Sequence, residues 1–245
     1  MEALYIILLI SIAGPIIGSL IGVMKRPTEI FMSRMLAFAA GVMISISFLE
    51  LIPQSITASS TLICIIGVSI GAIAMYLIDR LIPHLHPALF KQEQGCKLQK
   101  TAVYLIIGIF MHNLPEGMAI ATGTITNFST TLAIAIGIAI HNIPEGICTS
   151  APYYFCTKKK LKSFLISSST AIPIVVGFLI AKAIFQNVPL AVTGAIVAAT
   201  AGLMIYISCD ELIPTSCNKC STSWDHSIIF SLILGVLFVI GIGAI

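Results

Sequence analysis

The chain has 245 residues, 58% of them hydrophobic and 9% charged, with a mean hydropathy of +1.05 and a formal net charge of +3. A soluble domain carries about 25% charged residues, so this composition excludes an ordinary water-soluble protein and makes lipid the solvent for most of the chain. The small, scattered positive charge excludes a nucleic-acid partner, and seven cysteines without regular spacing do not read as a secreted disulfide framework.

A membrane-spanning helix needs about 20 largely apolar residues. Eight such stretches lie near 3–24, 35–57, 62–82, 102–123, 130–153, 164–185, 189–213 and 227–245. Strict alternation of apolar and polar residues is absent, which argues against a membrane β-barrel. The first run continues to Met24 without a cationic leader, so it reads as a retained helix and not a signal peptide. The expected fold is therefore all-α, a polytopic membrane protein of eight transmembrane helices. Little chain remains outside them, and residues 1–245 read as one transmembrane domain with a cytoplasmic loop at about 83–101.

Lysine and arginine set the orientation. The gap after helix 1 holds Lys25, Arg26 and Arg34; that after helix 3 has Arg80, Lys91, Lys97 and Lys100. Lys158, Lys159, Lys160 and Lys162 follow helix 5, and Lys219 follows helix 7. The alternate gaps hold none. Lys182, near the far end of helix 6, is the exception and can snorkel outward. Both termini should face outside, with the basic loops in the cytoplasm.

Two internal repeats sit on this topology. HNLPEG at 112–117 recurs as HNIPEG at 141–146, on helices 4 and 5. ISFLELIPQS at 46–55 recurs as ISCDELIPTS at 207–216, on helices 2 and 7. The pattern is 3+2+3, with the first three helices related to the last three by inversion. Inverted repeats with motifs near the midplane are a mark of secondary transporters.

In each hexamer the glutamate follows the histidine by four residues, so His112 and Glu116 share one helix face, as do His141 and Glu145. Asn113 and Asn142 border those faces. Two imidazoles, two carboxylates and two amide oxygens form a donor mixture suited to zinc, and with adjusted geometry to iron or manganese. Pro115 and Pro144 withhold the donors that the carbonyls of Met111 and Ile140 would use, while Gly117 and Gly146 permit close helix approach. A lone pair of this kind could be a structural hydrogen bond. An ionisable group at membrane depth costs roughly 2.5–3.5 kcal/mol on insertion scales, and packing does not explain four of them in a duplicated hexamer.

Glu50 and the Asp210–Glu211 pair stand toward opposite mouths of such a site and read as ion-path residues. Pro53 and Pro214 follow, freeing the carbonyls of Leu49 and Asp210. Weaker candidates for metal contact inside the cell are His84 and His86 in the basic loop, and Cys217 with Cys220 after helix 7. Cys64, Cys148, Cys156 and Cys209 read as small apolar fillers. Asp79 and Arg80 read as the interfacial end of helix 3, and the glycines and serines of helices 1, 3, 6 and 8 as close-packing positions.

The paired hexamers on the fourth and fifth of eight helices, together with both ELIP segments, resemble the ZIP (Zrt/Irt-like) family of metal transporters, and within it the bacterial zinc-uptake, ZupT-type branch. The resemblance implies uptake of Zn²⁺, with Fe²⁺, Mn²⁺, Co²⁺ or Cd²⁺ as further cargo, into the cytoplasm across a bacterial inner membrane. It implies a two-metal centre on His112, Asn113, Glu116, His141, Asn142 and Glu145. It also implies an elevator-like motion of helices 1, 4, 5 and 6 against helices 2, 3, 7 and 8, often in a homodimer. Many bacterial members carry a glutamate just before the proline of helix 6. Here the segment reads SSSTAIPIVVG, and Ile172 stands before Pro173, so the second metal position lacks that carboxylate and the count of one metal or two stays open; Ser169 and Thr170 have oxygens nearby but are not assigned as ligands.

The expected protein is a metal transporter and not an enzyme, with metal as cargo and no resident cofactor. The competing reading is an intramembrane zinc hydrolase, whose water would be activated by metal held on membrane helices. The HExxH pattern of such enzymes is absent, and inverted symmetry serves alternating access, not hydrolysis.

Overall fold

The computed structural model describes residues 2–85, 97–123, 128–184, 189–217 and 226–243. These residues form helices and short connections, with no strand among them. Helix 1 is Glu2–Met24, helix 2 spans Glu29–Ala58, helix 3 is Thr61–Leu85, helix 4 is Lys97–Gly123 and helix 5 is Phe128–Thr157. Helix 6 runs as Lys160–Ser168, a 3-10 turn at Ser169–Ala171, and Ile172–Ile184. Helix 7 spans Leu190–Cys217 and helix 8 is His226–Gly243. Among the described residues, five of these are long and apolar enough to cross a membrane: helices 1, 2, 3, 6 and 7. The chain is a multi-pass, all-helical membrane protein.

Helix 2 begins on a capped turn, with Thr28 Oγ1 accepting from the Phe31 N–H and Glu29 placed where the helix dipole favours an anion. Helices 2 and 7 each contain a wide π-turn, at Ser47–Leu51 and Ser208–Leu212, where the N–H groups of Ile52 and Ile213 bond five residues back to the Ser47 and Ser208 carbonyls. The turns occupy matching positions of the two ELIP repeats, one residue short of Pro53 and Pro214. A proline leaves carbonyls without a donor, and slipping the register by one residue accommodates that gap. The sequence pointed to freed carbonyls at Leu49 and Asp210 but not to this change of register.

Glycine governs which helices touch. A Cβ on Gly14 or Gly18 of helix 1 would overlap the carbonyl oxygens of Ala139 or Ile143 on helix 5, and one on Gly177 of helix 6 would overlap that of Leu114 on helix 4. Elsewhere, Gly41 of helix 2 abuts Leu232 O of helix 8, and Gly71 of helix 3 abuts Ala199 O of helix 7. Among the described residues, the pairings 1 with 5, 4 with 6, 2 with 8 and 3 with 7 are extensive, and they map onto one another under the inversion read from the repeats. Small residues let the backbones of membrane helices make direct van der Waals contact, the main attraction available when lipid is as apolar as the side chains.

Two apolar clusters result. One joins Ile7, Leu8, Ile120, Ala135, Ile138, Ile174 and Phe178, from helices 1, 4, 5 and 6. The larger one centres on helices 2 and 7, with Leu36, Ala40, Met43, Leu203, Met204 and Ile207. Arg34 Nε donates to Ser227 Oγ at 3.0 Å, placing the starts of helices 2 and 8 at one end of the bundle. At another helix end the Lys182 ammonium lies 5.2 Å from the centre of the Tyr5 ring, a contact that keeps the charge off apolar surface.

Candidate metal centre

Helices 4 and 5 are separated by residues 124–127 and pack side by side. Antiparallel helices bring the early residue of one motif opposite the late residue of the other, and the hexamers meet in that way. His141 Nε2 lies 2.7 Å from Glu116 Oε1, and His112 Nε2 lies 3.2 Å from Glu145 Oε2. Within helix 4, His112 Nε2 is 3.4 Å from Glu116 Oε1, the i,i+4 neighbour expected from the spacing. The imidazole centres are 6.4 Å apart, inclined at 45°.

His112, Asn113, His141, Asn142 and Glu145 are buried, and Glu116 is nearly so. One nitrogen of each histidine and one Glu116 oxygen lie within 4.8 Å of one another. Zinc holds nitrogen and oxygen ligands at about 2.0–2.2 Å, so modest side-chain rotation lets a single ion touch all three. Without a metal, imidazole and carboxylate satisfy each other. Three buried oxygens are left over: Asn113 Oδ1, Asn142 Oδ1 and Glu145 Oε1 have no hydrogen-bond partner. Buried acceptors without a donor are costly in an apolar medium, and a cation supplies what they lack.

The two asparagines differ in their bonds. Asn142 Nδ2 donates to Glu116 Oε2 at 2.9 Å, and Asn113 Nδ2 donates to the main-chain oxygen of Thr170 at 2.6 Å. Helix 6 thus enters the site through its backbone. The hydroxyls of Ser169 and Thr170 donate to the carbonyls of Ile166 and Ser167 within helix 6. Ile172 is 53% exposed. One turn beyond Glu145, the hydroxyls of Thr149, Ser167 and Ser19 form a buried chain, Thr149 to Ser167 at 2.5 Å and Ser167 to Ser19 at 2.6 Å, joining helices 5, 6 and 1. Ser19 and Ser167, expected as close-packing positions, thus also carry hydrogen bonds between helices.

The chain matches the family model described as "ZIP Zinc transporter" over residues 90–244. It belongs to the ZIP family. Proteins similar to it include the "Zinc transporter ZupT" of Escherichia coli O127:H6 (strain E2348/69 / EPEC), 34% identical over 211 residues and covering 82% of each chain. The same figures hold for the ZupT of Escherichia coli strain K12 / DH10B.

Among the described residues, the other candidates are not part of this group. Glu50 is exposed on the π-turn of helix 2. Asp210 and Glu211, on the π-turn of helix 7, line a small cleft together with Met75, Asp79, Tyr206 and Ile207. Asp79 therefore joins the acidic pair, a neighbour that its sequence position beside Arg80 did not suggest. Arg80 itself lies over the Tyr76 ring at 5.1 Å. Cys217 is a half-buried free thiol 3.7 Å from Ser216 Oγ. His86 and Cys220 lie outside the described residues, as does the side chain of His84. Cys156 is disulfide-bonded and not a free apolar filler, whereas Cys64 and Cys148 are buried and free.

Proposed function

We propose that this ZIP-family protein carries divalent transition-metal ions, zinc foremost, across a bacterial inner membrane toward the cytoplasm. The observation that carries the proposal is the meeting of His112, Glu116 and His141 around a common point, with Glu145 Oε1 and two asparagine oxygens buried nearby without donors. A resident structural ion would favour four-coordinate closure. A cargo ion needs a site it can leave, and hydrogen bonds between the imidazoles and carboxylates give the side chains a stable arrangement once it has gone.

In this reading the protein spans the membrane eight times as one domain, with both termini outside, and works as the homodimer that the family resemblance implies. Metal enters past Glu50 and loses part of its water. It is held by His112, Glu116, His141 and Glu145, with Asn113 and Asn142 as amide donors, and leaves past Asp79, Asp210 and Glu211. The names of the relatives, zinc transporters, support zinc as the main cargo, and the hydrolase alternative finds no support among them.

The test is zinc entry into liposomes holding the purified chain. Wild type should give saturable uptake; His112→Ala and Glu116→Ala should abolish it while still inserting. Undiminished uptake in both variants would reject the site.

A further inference from the structure

The two hexamers are nearly identical in letters and different in wiring. Glu116 has both oxygens engaged, by His141 and Asn142, whereas its counterpart Glu145 keeps Oε1 unpartnered. The mirror image of the Asn142–Glu116 bond would be one from Asn113 to Glu145, and Asn113 instead donates to Thr170 O.

The cause lies in helix 6. Helices 4 and 6 touch main chain to main chain, Gly177 against Leu114 O and Gly117 against Ile174 O. Helices 5 and 1 repeat the contact, Gly18 against Ile143 O and Gly146 against Pro15 O. Counted from these contacts, Thr170 corresponds to Ser11 on helix 1. Pro15 withholds a donor from Ser11 as well, but helix 1 stays α-helical there, with the Ser11 hydroxyl returned to Ile7 O. Thr170 lies in the tighter 3-10 turn. The Ile172 N–H bonds Ser169 O, and Pro173 has no N–H to offer Thr170 O in that register. The carbonyl is left for an outside donor, and the glycine contacts bring Asn113 within reach.

We propose that the Thr170 carbonyl, opened by Pro173, is a positioning group for metal binding. It commits the NH₂ end of Asn113, leaving the amide oxygen as the end available to a cation. It also keeps that NH₂ off Glu145, whose Oε1 stays open to the ion. The inference deepens the proposed transport function and rests on the site between helices 4 and 5.

The test compares zinc KM and maximal rate in liposomes for wild type, Pro173→Ala, Asn113→Leu and the double variant, with Glu116→Ala as the reference for the site itself. Pro173→Ala restores a donor to helix 6 and should raise KM about threefold to tenfold, the range of one hydrogen bond within a membrane, with little change in maximal rate. Asn113→Leu should cost at least as much, and the double variant no more than Asn113→Leu alone, because both changes remove one interaction. An unchanged KM in Pro173→Ala, or costs that multiply in the double variant, would overturn the inference. Full uptake by Glu116→Ala would instead reject the site on which it rests. Should Pro173→Ala fail to insert, solid-state NMR recoupling of asparagine side-chain ¹⁵N to threonine ¹³C carbonyl in wild type decides the matter. A close pair that vanishes in Asn113→Leu is expected, and no such pair would overturn it.

Discussion

Helices 1, 4, 5 and 6 and helices 2, 3, 7 and 8 are held by the same device and filled with different chemistry. In both sets a glycine lies against a carbonyl of its partner helix: Gly18 on Ile143 O and Gly177 on Leu114 O in the first, Gly71 on Ala199 O and Gly202 on Val68 O in the second. Between helices 2 and 7 the interior is Leu36, Ala40, Met43, Leu203 and Met204. The first set, beside its own apolar cluster, buries His112, Asn113, His141, Asn142 and Glu145, whereas the buried polar side chains of the second are hydroxyls: Ser45, Ser47, Ser55, Thr200, Ser208 and Ser216. The ionisable load of the first set is costly in lipid, and it falls on the residues proposed above to hold the metal.

The sharpest way to break this comparison is Glu116→Ala, set beside Met204→Ala in the apolar cluster. The first leaves two imidazoles and Asn142 without their shared carboxylate, and zinc uptake should fall about a hundredfold or more, beyond the range for supporting residues, with insertion unchanged. The second should cost about 2–5 kcal/mol of stability, read by thermal unfolding in detergent, with zinc KM preserved in the folded fraction. Next in size, Gly177→Leu and Gly202→Leu should each destabilise the bundle by roughly 1–3 kcal/mol or more, since one device serves both sets. An effect confined to one of them would show that the sets are not held alike.

A smaller effect is expected from pH. Metal binds neutral imidazole and ionised carboxylate, so protons compete at low pH: lowering it from about 7.5 to about 5.5 should raise zinc KM several-fold and leave the rate at saturating zinc less affected. The smallest effect belongs to Gly137→Ala, because no neighbouring atom lies within 4 Å of the added methyl; stability and uptake should match wild type.

Much of this was legible in the residues. Where they are described, the apolar runs form helices but for Pro189 at the edge of one, because hydrocarbon tolerates only backbone that bonds itself. The four-residue spacing of His112 to Glu116 and of His141 to Glu145 places each pair on one face. Local patterns could not reveal that Glu116 and Glu145 end in different bonds, since that depends on a carbonyl of helix 6 reaching across to Asn113. The π-turns at Ser47–Leu51 and Ser208–Leu212 were only half visible. Pro53 and Pro214 signalled broken backbone bonds, but the register chosen to absorb them is a tertiary outcome. Asp79 likewise joins Asp210 and Glu211 only once helices 3 and 7 are packed together.

The most direct test of the central claim is an anomalous-difference map of the zinc-soaked protein in lipid. The account predicts a peak between helices 4 and 5, about 2.0–2.2 Å from His112, His141 and Glu116. A well-occupied peak only in the cleft of Asp79, Asp210 and Glu211, with the two hexamers still bonded to each other, would contradict it.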